Sequence, residues 1–163
     1  MPRFNPDDPK SPTPRVPVPV DIEAVYQQIL ESLATSSQNS EGFRVLHVES
    51  SQISADEHYQ SIKEMARAVG LRVTRLHDGV SCADKARAMK TPTGILLTTP
   101  EALEAFVVIR AQQLPSLFGQ LEYLIVEESN AVVEPGQTLK LQSTLSRIDL
   151  ATKSSPRRIA LSP

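Results

Sequence analysis

The chain has 163 residues, the size of one domain, and 40% of them are hydrophobic, so a packed core can form. Aromatic residues make up 4% and tryptophan is absent, which leaves the core to be built mainly from aliphatic side chains. The formal net charge of −2 argues against a protein that coats nucleic acid through bulk positive charge, although a local basic groove stays compatible with it.

Cysteine usage and hydropathy restrict the cellular setting. Cys82 is the only cysteine, so no internal disulfide can form, and we expect a reducing, cytoplasmic location. Apolar runs are only a few residues long, too short to cross a bilayer, and the N-terminus lacks the apolar segment of a signal peptide. These features predict an intracellular protein without a membrane partner.

Residues 1–20 form a compositionally separate segment. Most of the thirteen prolines lie there, and proline has no backbone N–H to donate to a sheet. We predict a disordered proline-rich tail over 1–20 and one folded domain over 21–163. A proline motif bound by another protein is the alternative interpretation of the tail.

The first predicted elements are a helix capped by Asp21, a strand over 43–48 and a second helix. Apolar residues at helical spacing indicate the first helix: Ile22, Val25, Ile29 and Leu33. The second helix is predicted to begin with a capping box of Ser54 and Glu57 and to stop at Gly70, because glycine readily adopts the left-handed conformation that ends helices.

Strands and helices alternate along the rest of the chain. The best-defined helix start has Thr99 as the cap, Pro100 in the first position and Glu101 in the first turn, where an acid favours the positive end of the helix dipole. The remaining predicted elements are strand 71–76, helix 81–90, strand 95–97, the helix from Thr99 to about Gln113, strand 123–126, helix 139–150 and strand 159–161.

This alternation predicts an α/β fold in which a mainly parallel sheet is covered by helices on both faces. Ligands of such sheets bind at the carboxyl ends of the strands. Polar clusters follow four predicted strands at that edge, namely residues 49–52, 98–101, 127–130 and 162–163. Their convergence marks this rim as the candidate site.

Three segments resemble a known family. The stretches GILLTTPEALEAFVVIRAQQLPSLF, LEYLIVEESN and RRIALSP are similar to the first RecA-like domain of superfamily 2 DEAD/DEAH-box helicases. The branch that they resemble most is the large-helicase-related (Lhr) branch, with its pattern "TTPE-x-L … LF-x-x-L … DE-x-H … R-I-x-LSAT". The resemblance covers 21–162 and is most specific over 94–130. It implies a three-layer RecA-like domain of the P-loop NTPase type.

The resemblance also implies roles for residues of the rim. Glu127 and Glu128 lie where the family has an Asp that holds Mg²⁺ and a Glu that polarises the attacking water. Asn130 lies where the family has a His that links ATP state to nucleic-acid binding, and Ser162 matches the serine of the Ser-Ala-Thr element that couples hydrolysis to movement. Two segments correspond to parts that touch the nucleic-acid backbone: Ser50, Ser51 and Gln52, and Thr99, Pro100 and Glu101. An acidic pair at a strand end and a well-formed helix cap are the plainer interpretations of the same residues.

The chain departs from the family pattern where ATP binds. The sequence has six glycines, and none of them precedes a lysine, so the Gly-Lys-Ser/Thr phosphate loop is missing from it. In the family register Asp21 replaces the lysine, and a like-charge contact at about 4 Å costs roughly 4 kcal/mol at an effective dielectric of 20. We therefore predict a degenerate domain, a pseudoenzyme that uses ATP and Mg²⁺ only if a phosphate loop is supplied elsewhere.

Three functions remain open on these grounds. The first is a degenerate helicase-like domain that binds DNA or RNA weakly at the rim or acts as a scaffold. The second is a protein-interaction module that mimics a helicase lobe, with a partner completing the sheet edge at 159–161, a strand expected to be exposed because the phosphate-loop strand is missing. The third is a truncated piece of an active helicase whose second lobe lies in another polypeptide.

Metal binding and nucleophilic catalysis find no support in the sequence pattern. The histidines, His47, His58 and His77, show no ligand spacing and have no cysteine partners, so we predict no metal site. Cys82 has no evident base beside it, which argues against a nucleophilic role.

Overall fold

Five strands and six α-helices alternate in the part of the chain that the computed structural model describes, namely residues 21–35, 41–127, 135–152 and 155–161. The predicted tail over 1–20 lies outside these residues. In chain order the elements are α1 (Ile22–Thr35), β1 (Gly42–Val48), α2 (Gln52–Ala68), β2 (Val73–Leu76), α3 (Cys82–Lys90), β3 (Thr93–Thr98), α4 (Pro100–Ile109), a 3₁₀ turn (Ala111–Gln113), α5 (Leu114–Phe118), β4 (Tyr123–Glu127), α6 (Pro135–Thr152) and β5 (Arg157–Leu161).

The strands form one parallel sheet in the order β2-β3-β1-β4-β5. This arrangement confirms the predicted α/β class, because parallel neighbours joined by helices require a crossover between strands. Among the described strands, β5 pairs only with β4, with Ile159 opposite Ile125. The prediction that 159–161 lies at a sheet edge is therefore confirmed.

Helices cover both faces of the sheet, and each face has its own apolar cluster. One cluster joins the strands to α4, α5 and α6, and its members include Phe43, Leu96, Leu103, Phe118 and Ile148. The other joins the strands to α1 and α2, and its members include Tyr26, Leu33, Val45, Ile62 and Ile125. The core is mainly aliphatic, as predicted. The cluster on the second face packs α1 and α2 against the sheet.

Two predicted helix ends are wrong. The N-cap of α2 is Ser51, which has an extended backbone and whose side chain accepts from the Ser54 backbone N–H, so the capping box of Ser54 and Glu57 does not form. The helix after Thr99 ends at Ile109 rather than near Gln113. A 3₁₀ turn follows, and Pro115 then lies in the first turn of α5, where its missing N–H and its ring are tolerated.

The helices were also compared with the length and hydropathy of a membrane span. Within the described residues no helix is both long enough and apolar enough to cross a bilayer.

Candidate functional site

The carboxyl ends of β1, β3 and β4 lie next to one another and bring three of the four predicted polar clusters together. The Glu49 backbone N–H donates to Thr98 O at 2.7 Å, and Ser50 Oγ donates to Glu127 Oε1 at 3.2 Å. The fourth cluster at Ser162, together with Glu128 and Asn130, lies outside the described residues. The rim is thus formed by residues 49–52, 98–101 and Glu127, and we call it the carboxyl rim below.

Two helices begin at the carboxyl rim. Thr99 caps α4 by accepting from the Ala102 backbone N–H at 3.3 Å, with Pro100 in the first turn, as predicted. Ser51 caps α2 in the same way, at 3.1 Å from the Ser54 nitrogen. The positive dipole ends of both helices therefore face the same edge of the sheet.

A network of carboxylates and hydroxyls lies directly beneath Ser50 and Ser51. The hydroxyl of Ser54, in the first turn of α2, lies 2.8 Å from Glu49 Oε2 and 3.0 Å from Glu127 Oε2, within donating distance of both. His58, one helical turn further on, places Nδ1 2.8 Å from Glu49 Oε2. Glu127, expected to hold a metal, is therefore already held by two serine hydroxyls.

The environment shifts the pKa of each acid in this network. Burial raises the pKa of Glu49 to about 7, and its contact with Glu127 adds to that rise, while His58 and Ser54 oppose it. Burial alone would also raise the pKa of Glu127, but hydrogen bonds with Glu49 and Ser54 bring it below the ordinary value. The hydrogen bond to Glu49 raises the pKa of His58. The stable negative charge of the network therefore lies on Glu127, nearer the solvent.

His47 lies at the inner end of the same network, one residue before the end of β1, and is fully buried. Its ring stacks between those of Tyr26 and His58, with centroid distances of 5.8 and 5.6 Å. Its Nδ1 lies 2.8 Å from Tyr26 Oη. Its Nε2 lies 3.3 Å from Glu49 Oε1, but the two atoms are not aligned for a hydrogen bond, so this buried nitrogen has no hydrogen-bond partner.

The pKa values of these inner groups keep them neutral. Burial lowers the pKa of His47 to about 3, and the neighbouring His58 lowers it further than Glu127 raises it. Burial and the nearby Glu49 raise the pKa of Tyr26 well above its ordinary value. A neutral imidazole and a neutral phenol therefore form the floor of the network.

Sequence reasoning missed the inner half of this site. The sequence pattern marks Glu49 only as part of a polar cluster, Ser54 as a helix cap, and His47 and His58 as isolated histidines. A signal is present in two short spacings. Glu49 follows β1 directly and is two residues after His47, as side chains on one face of an extended segment are, while Ser54 and His58 are four apart on a helix and share one face. Neither spacing shows by itself that the two faces meet.

The remaining predicted residues play simpler parts. Gln52 is the first residue of α2 and is exposed, as is Glu101 in the first turn of α4. His77 does not join the network, because its Nε2 lies 2.9 Å from Asp56 Oδ1 instead. The carboxyl rim segments 49–52 and 98–101 contain no Lys or Arg.

Positive charge is concentrated elsewhere, beside the start of β2. An open groove of about 490 Å³ is lined there by basic residues and one aromatic ring, among them Tyr59, Lys63, Arg67 and Arg72. The Arg75 guanidinium lies 4.3 Å from the centre of the Tyr59 ring. Any nucleic-acid contact of this groove would be separate from the carboxyl rim.

Comparison with known proteins places this arrangement in a family context. A family profile described as DEAD/DEAH box helicase matches residues 23–162. The ATP-dependent helicase Lhr-Core protein 2 of Thermococcus barophilus is 29% identical over 98 residues, which cover 57% of this chain and 11% of the relative. The Lhr helicase/uracil glycosylase of Escherichia coli is 32% identical over 94 residues, which cover 58% of this chain and 6% of the relative.

Solved structures share the fold. The Mycobacterium smegmatis helicase Lhr bound to single-stranded DNA and AMP-PNP superposes with a TM-score of 0.64 at 22% identity, over 86% of this chain and 19% of that one. The helicase MrfA bound to DNA and AMPPNP gives a TM-score of 0.65 at 18% identity, over 85% of this chain and 19% of that one. The chain thus spans about a fifth of these structures and a smaller share of the curated relatives.

Proposed function

Because this chain belongs to the DEAD/DEAH box helicase family and has its relatives in the Lhr branch, we propose that it is a helicase-like domain that binds nucleic acid weakly at the carboxyl rim and does not hydrolyse ATP by itself. The observation that carries the proposal is the state of Glu127. Its two carboxylate oxygens are engaged by Ser50 and Ser54, so they face the protein's own hydroxyls.

The lack of turnover follows from the demands of phosphoryl transfer. That reaction depends on cations that neutralise the charge of the phosphates and on a carboxylate that holds the magnesium ion of the nucleotide. This chain has no Gly-Lys-Ser/Thr sequence. In the register that its resemblance to the family suggests, Asp21 replaces the lysine. In the structure, the Asp21 carboxylate accepts from the Glu23 backbone N–H at 3.0 Å and so caps α1 instead of approaching a nucleotide from a loop.

Weak nucleic-acid binding follows from the chemistry of the rim. The N-termini of α2 and α4 offer backbone N–H groups and positive dipole ends to phosphates, and the hydroxyls of Ser50 and Ser51 are exposed beside them. Glu101 and Glu127 oppose the approach of a phosphate, and no Lys or Arg of the rim segments compensates. Two neighbouring structures, those of Lhr and MrfA, were solved with DNA bound, which supports this class of ligand.

Binding assays with the purified chain test the proposal. Short fluorescent single-stranded DNA and RNA are titrated between about 50 and 200 mM salt. Two or three phosphate contacts, at about −0.7 each, predict a slope of log K against log salt between about −1 and −2. A steeper slope would indicate a basic surface rather than this rim.

The most informative variant adds a negative charge to the carboxyl rim and keeps the helix cap. Ser51→Asp keeps a good N-cap and adds a negative charge, which should weaken binding about fivefold for roughly 1 kcal/mol of repulsion in water. Ser146→Asp adds the same charge on the exposed face of α6 and should leave binding unchanged. If Lys63→Glu abolishes binding and Ser51→Asp does not, the groove beside β2 is the binding surface and the rim assignment is wrong.

A nucleotide assay tests the second half of the proposal. We expect no magnesium-dependent ATP binding in the micromolar range by the chain alone, and Glu128→Gln should leave the background rate of ATP hydrolysis unchanged. Micromolar, magnesium-dependent binding would favour the alternative that the chain is a piece of an active helicase. That alternative fits the small share of each relative's length that the chain matches.

A second candidate function is favoured by β5. Among the described strands, it has a neighbour on one side only, and Arg157, Arg158 and Ala160 are exposed. Such an edge offers backbone groups to a strand of a partner, so the chain would act as an interaction module that mimics a helicase lobe. Absence of salt-dependent nucleic-acid binding, together with protection of the 157–161 amides from exchange by a partner, would favour this function over the first.

A further inference from the structure

Four side chains converge at the carboxyl rim: His47 from β1, Glu49 from the residue that follows β1, His58 from α2 and Glu127 from β4. Each presents one nitrogen or oxygen, and these four atoms all lie within 4.8 Å of one another. The spacing of the histidines along the chain predicts no metal site. The fold brings two of the three histidines together with two glutamates, so the argument from spacing does not apply to this cluster.

A second observation points to a missing ligand. His47 Nε2 is fully buried, faces the Glu49 carboxylate and has no hydrogen-bond partner. Buried polar atoms in folded proteins are nearly always paired, and one that is not calls for an explanation such as an ion. An imidazole nitrogen is the commonest metal ligand in proteins.

Neighbouring side chains form hydrogen bonds with ligand side chains of the cluster, as the outer shell of a metal site usually does. Tyr26 Oη lies 2.8 Å from His47 Nδ1 and can accept a hydrogen bond from the Nδ1–H group. In that tautomer Nε2 carries no proton and is free to bind an ion. The Ser54 hydroxyl lies 2.8 and 3.0 Å from the two glutamates, and Ser50 holds Glu127 from the solvent side. The ligand side chains are therefore oriented before an ion arrives.

Burial differs across the cluster in a way that permits entry. The side chains of His47 and Glu49 are 0% exposed, whereas those of His58 and Glu127 are 21% and 17% exposed. An ion can thus enter past His58 and Glu127 and reach the inner pair. Two carboxylates balance the charge of one divalent cation, so the loaded site is neutral.

We propose that His47, Glu49, His58 and Glu127 bind one divalent transition-metal ion, with zinc as the ion that best matches the donors. Two imidazole nitrogens and two carboxylate oxygens suit the borderline character and tetrahedral preference of Zn²⁺. Magnesium is disfavoured because it prefers oxygen ligands in an octahedral shell. The site does not depend on the proposed nucleic-acid function, and it differs from a nucleotide-bound magnesium site because three of its four ligands lie in β1, directly after β1, and in α2.

Zinc and cobalt titrations of the metal-free 163-residue chain test this site. The experiment uses a Cys82→Ser background, because Cys82 is exposed and could bind zinc by itself. We expect one Zn²⁺ per chain with at least micromolar affinity, and an absorption spectrum of the Co²⁺ form that is typical of tetrahedral coordination. Magnesium in excess should not displace either ion.

Variants separate coordination from a structural role. His58→Gln and Glu127→Gln should each lower zinc affinity by more than 10-fold, and Tyr26→Phe by about 10-fold, as expected for an outer-shell partner. His58→Cys should bind zinc more tightly than His58→Gln, and its Co²⁺ form should show a sulfur-to-cobalt charge-transfer band. No such band is expected if position 58 has only a structural role. His77→Gln, whose ring is held by Asp56 outside the cluster, should bind zinc like the parent.

The result that would overturn the proposal is equally specific. It fails if the folded parent chain takes up no stoichiometric zinc at micromolar concentration. It also fails if a folded His58→Gln/Glu127→Gln double variant binds zinc as tightly as the parent. Circular dichroism of each variant verifies that it is folded, and the less buried positions 58 and 127 were chosen because they are the safer ones to change.

Discussion

The hydroxyl of Ser54 gives the most direct test of how the site is built. The sequence pattern assigns Ser54 to the cap of α2, whereas the structure assigns the cap to Ser51 and directs the Ser54 hydroxyl to two carboxylates. The two assignments predict opposite effects for aspartate. Aspartate is a good N-cap, so it should be tolerated at the position that caps the helix and harmful at the position that faces Glu49 and Glu127.

The expected magnitude follows from the contacts. Ser54→Ala removes one hydrogen bond to a charged group, worth about 1.5–3 kcal/mol, and regains roughly 0.5 kcal/mol of helix propensity. The free energy of unfolding should therefore fall by about 1–2.5 kcal/mol. Ser54→Asp adds a third carboxylate beside two others, and a like-charge contact at about 4 Å and an effective dielectric of 20 costs roughly 4 kcal/mol. Partial exposure of the site reduces that value, so we expect a loss of at least about 2 kcal/mol.

Urea unfolding followed by circular dichroism measures both variants against Ser51→Asp. Ser51→Asp should stay within about 0.5 kcal/mol of the parent, because the cap is preserved. The thermal midpoint should fall by about 2–4 °C per kcal/mol for a domain of this size. The reasoning is refuted if Ser54→Asp is as stable as the parent, or if Ser51→Asp proves the more harmful of the two.

Four further substitutions test backbone conformation, core packing and a helix cap. Gly94→Ala should destabilise the fold by more than about 2 kcal/mol, because φ is +73° and a Cβ would lie 2.2 Å from the Arg72 carbonyl oxygen. Gly70→Ala, at φ +77° with nothing within 4 Å, should lose only about 1–2 kcal/mol in the same urea assay, and equal losses would contradict the clash argument. Phe118→Ala should lose about 3–5 kcal/mol, since the ring is fully buried, and a loss below 1 kcal/mol would contradict this packing. Asp21→Ala should lose about 1 kcal/mol through the α1 cap without creating ATP binding, and any gain in nucleotide affinity would contradict the structural role of Asp21.

Local signals determined the elements that were predicted well. Strands β3 and β4 contain short continuous apolar runs, and such runs are stable only when both faces of the sheet are covered. Thr99 and Pro100 form a helix start whose chemistry depends only on neighbouring residues, so it appears in the structure as predicted. Where two local signals competed, as for Ser51 and Ser54, the sequence pattern chose the wrong one, because both serines lie within one turn of the helix start.

The sequence by itself therefore determined the α/β alternation, the carboxyl rim and the family. The tertiary structure alone decided the contents of the rim. Its contacts join His47 and Glu49 to His58, and they join Glu49 to Glu127, which lies 78 positions further along the chain. The physical reason is that spacing along a chain reports which residues share one strand or helix face, whereas charge burial and coordination depend on which faces meet.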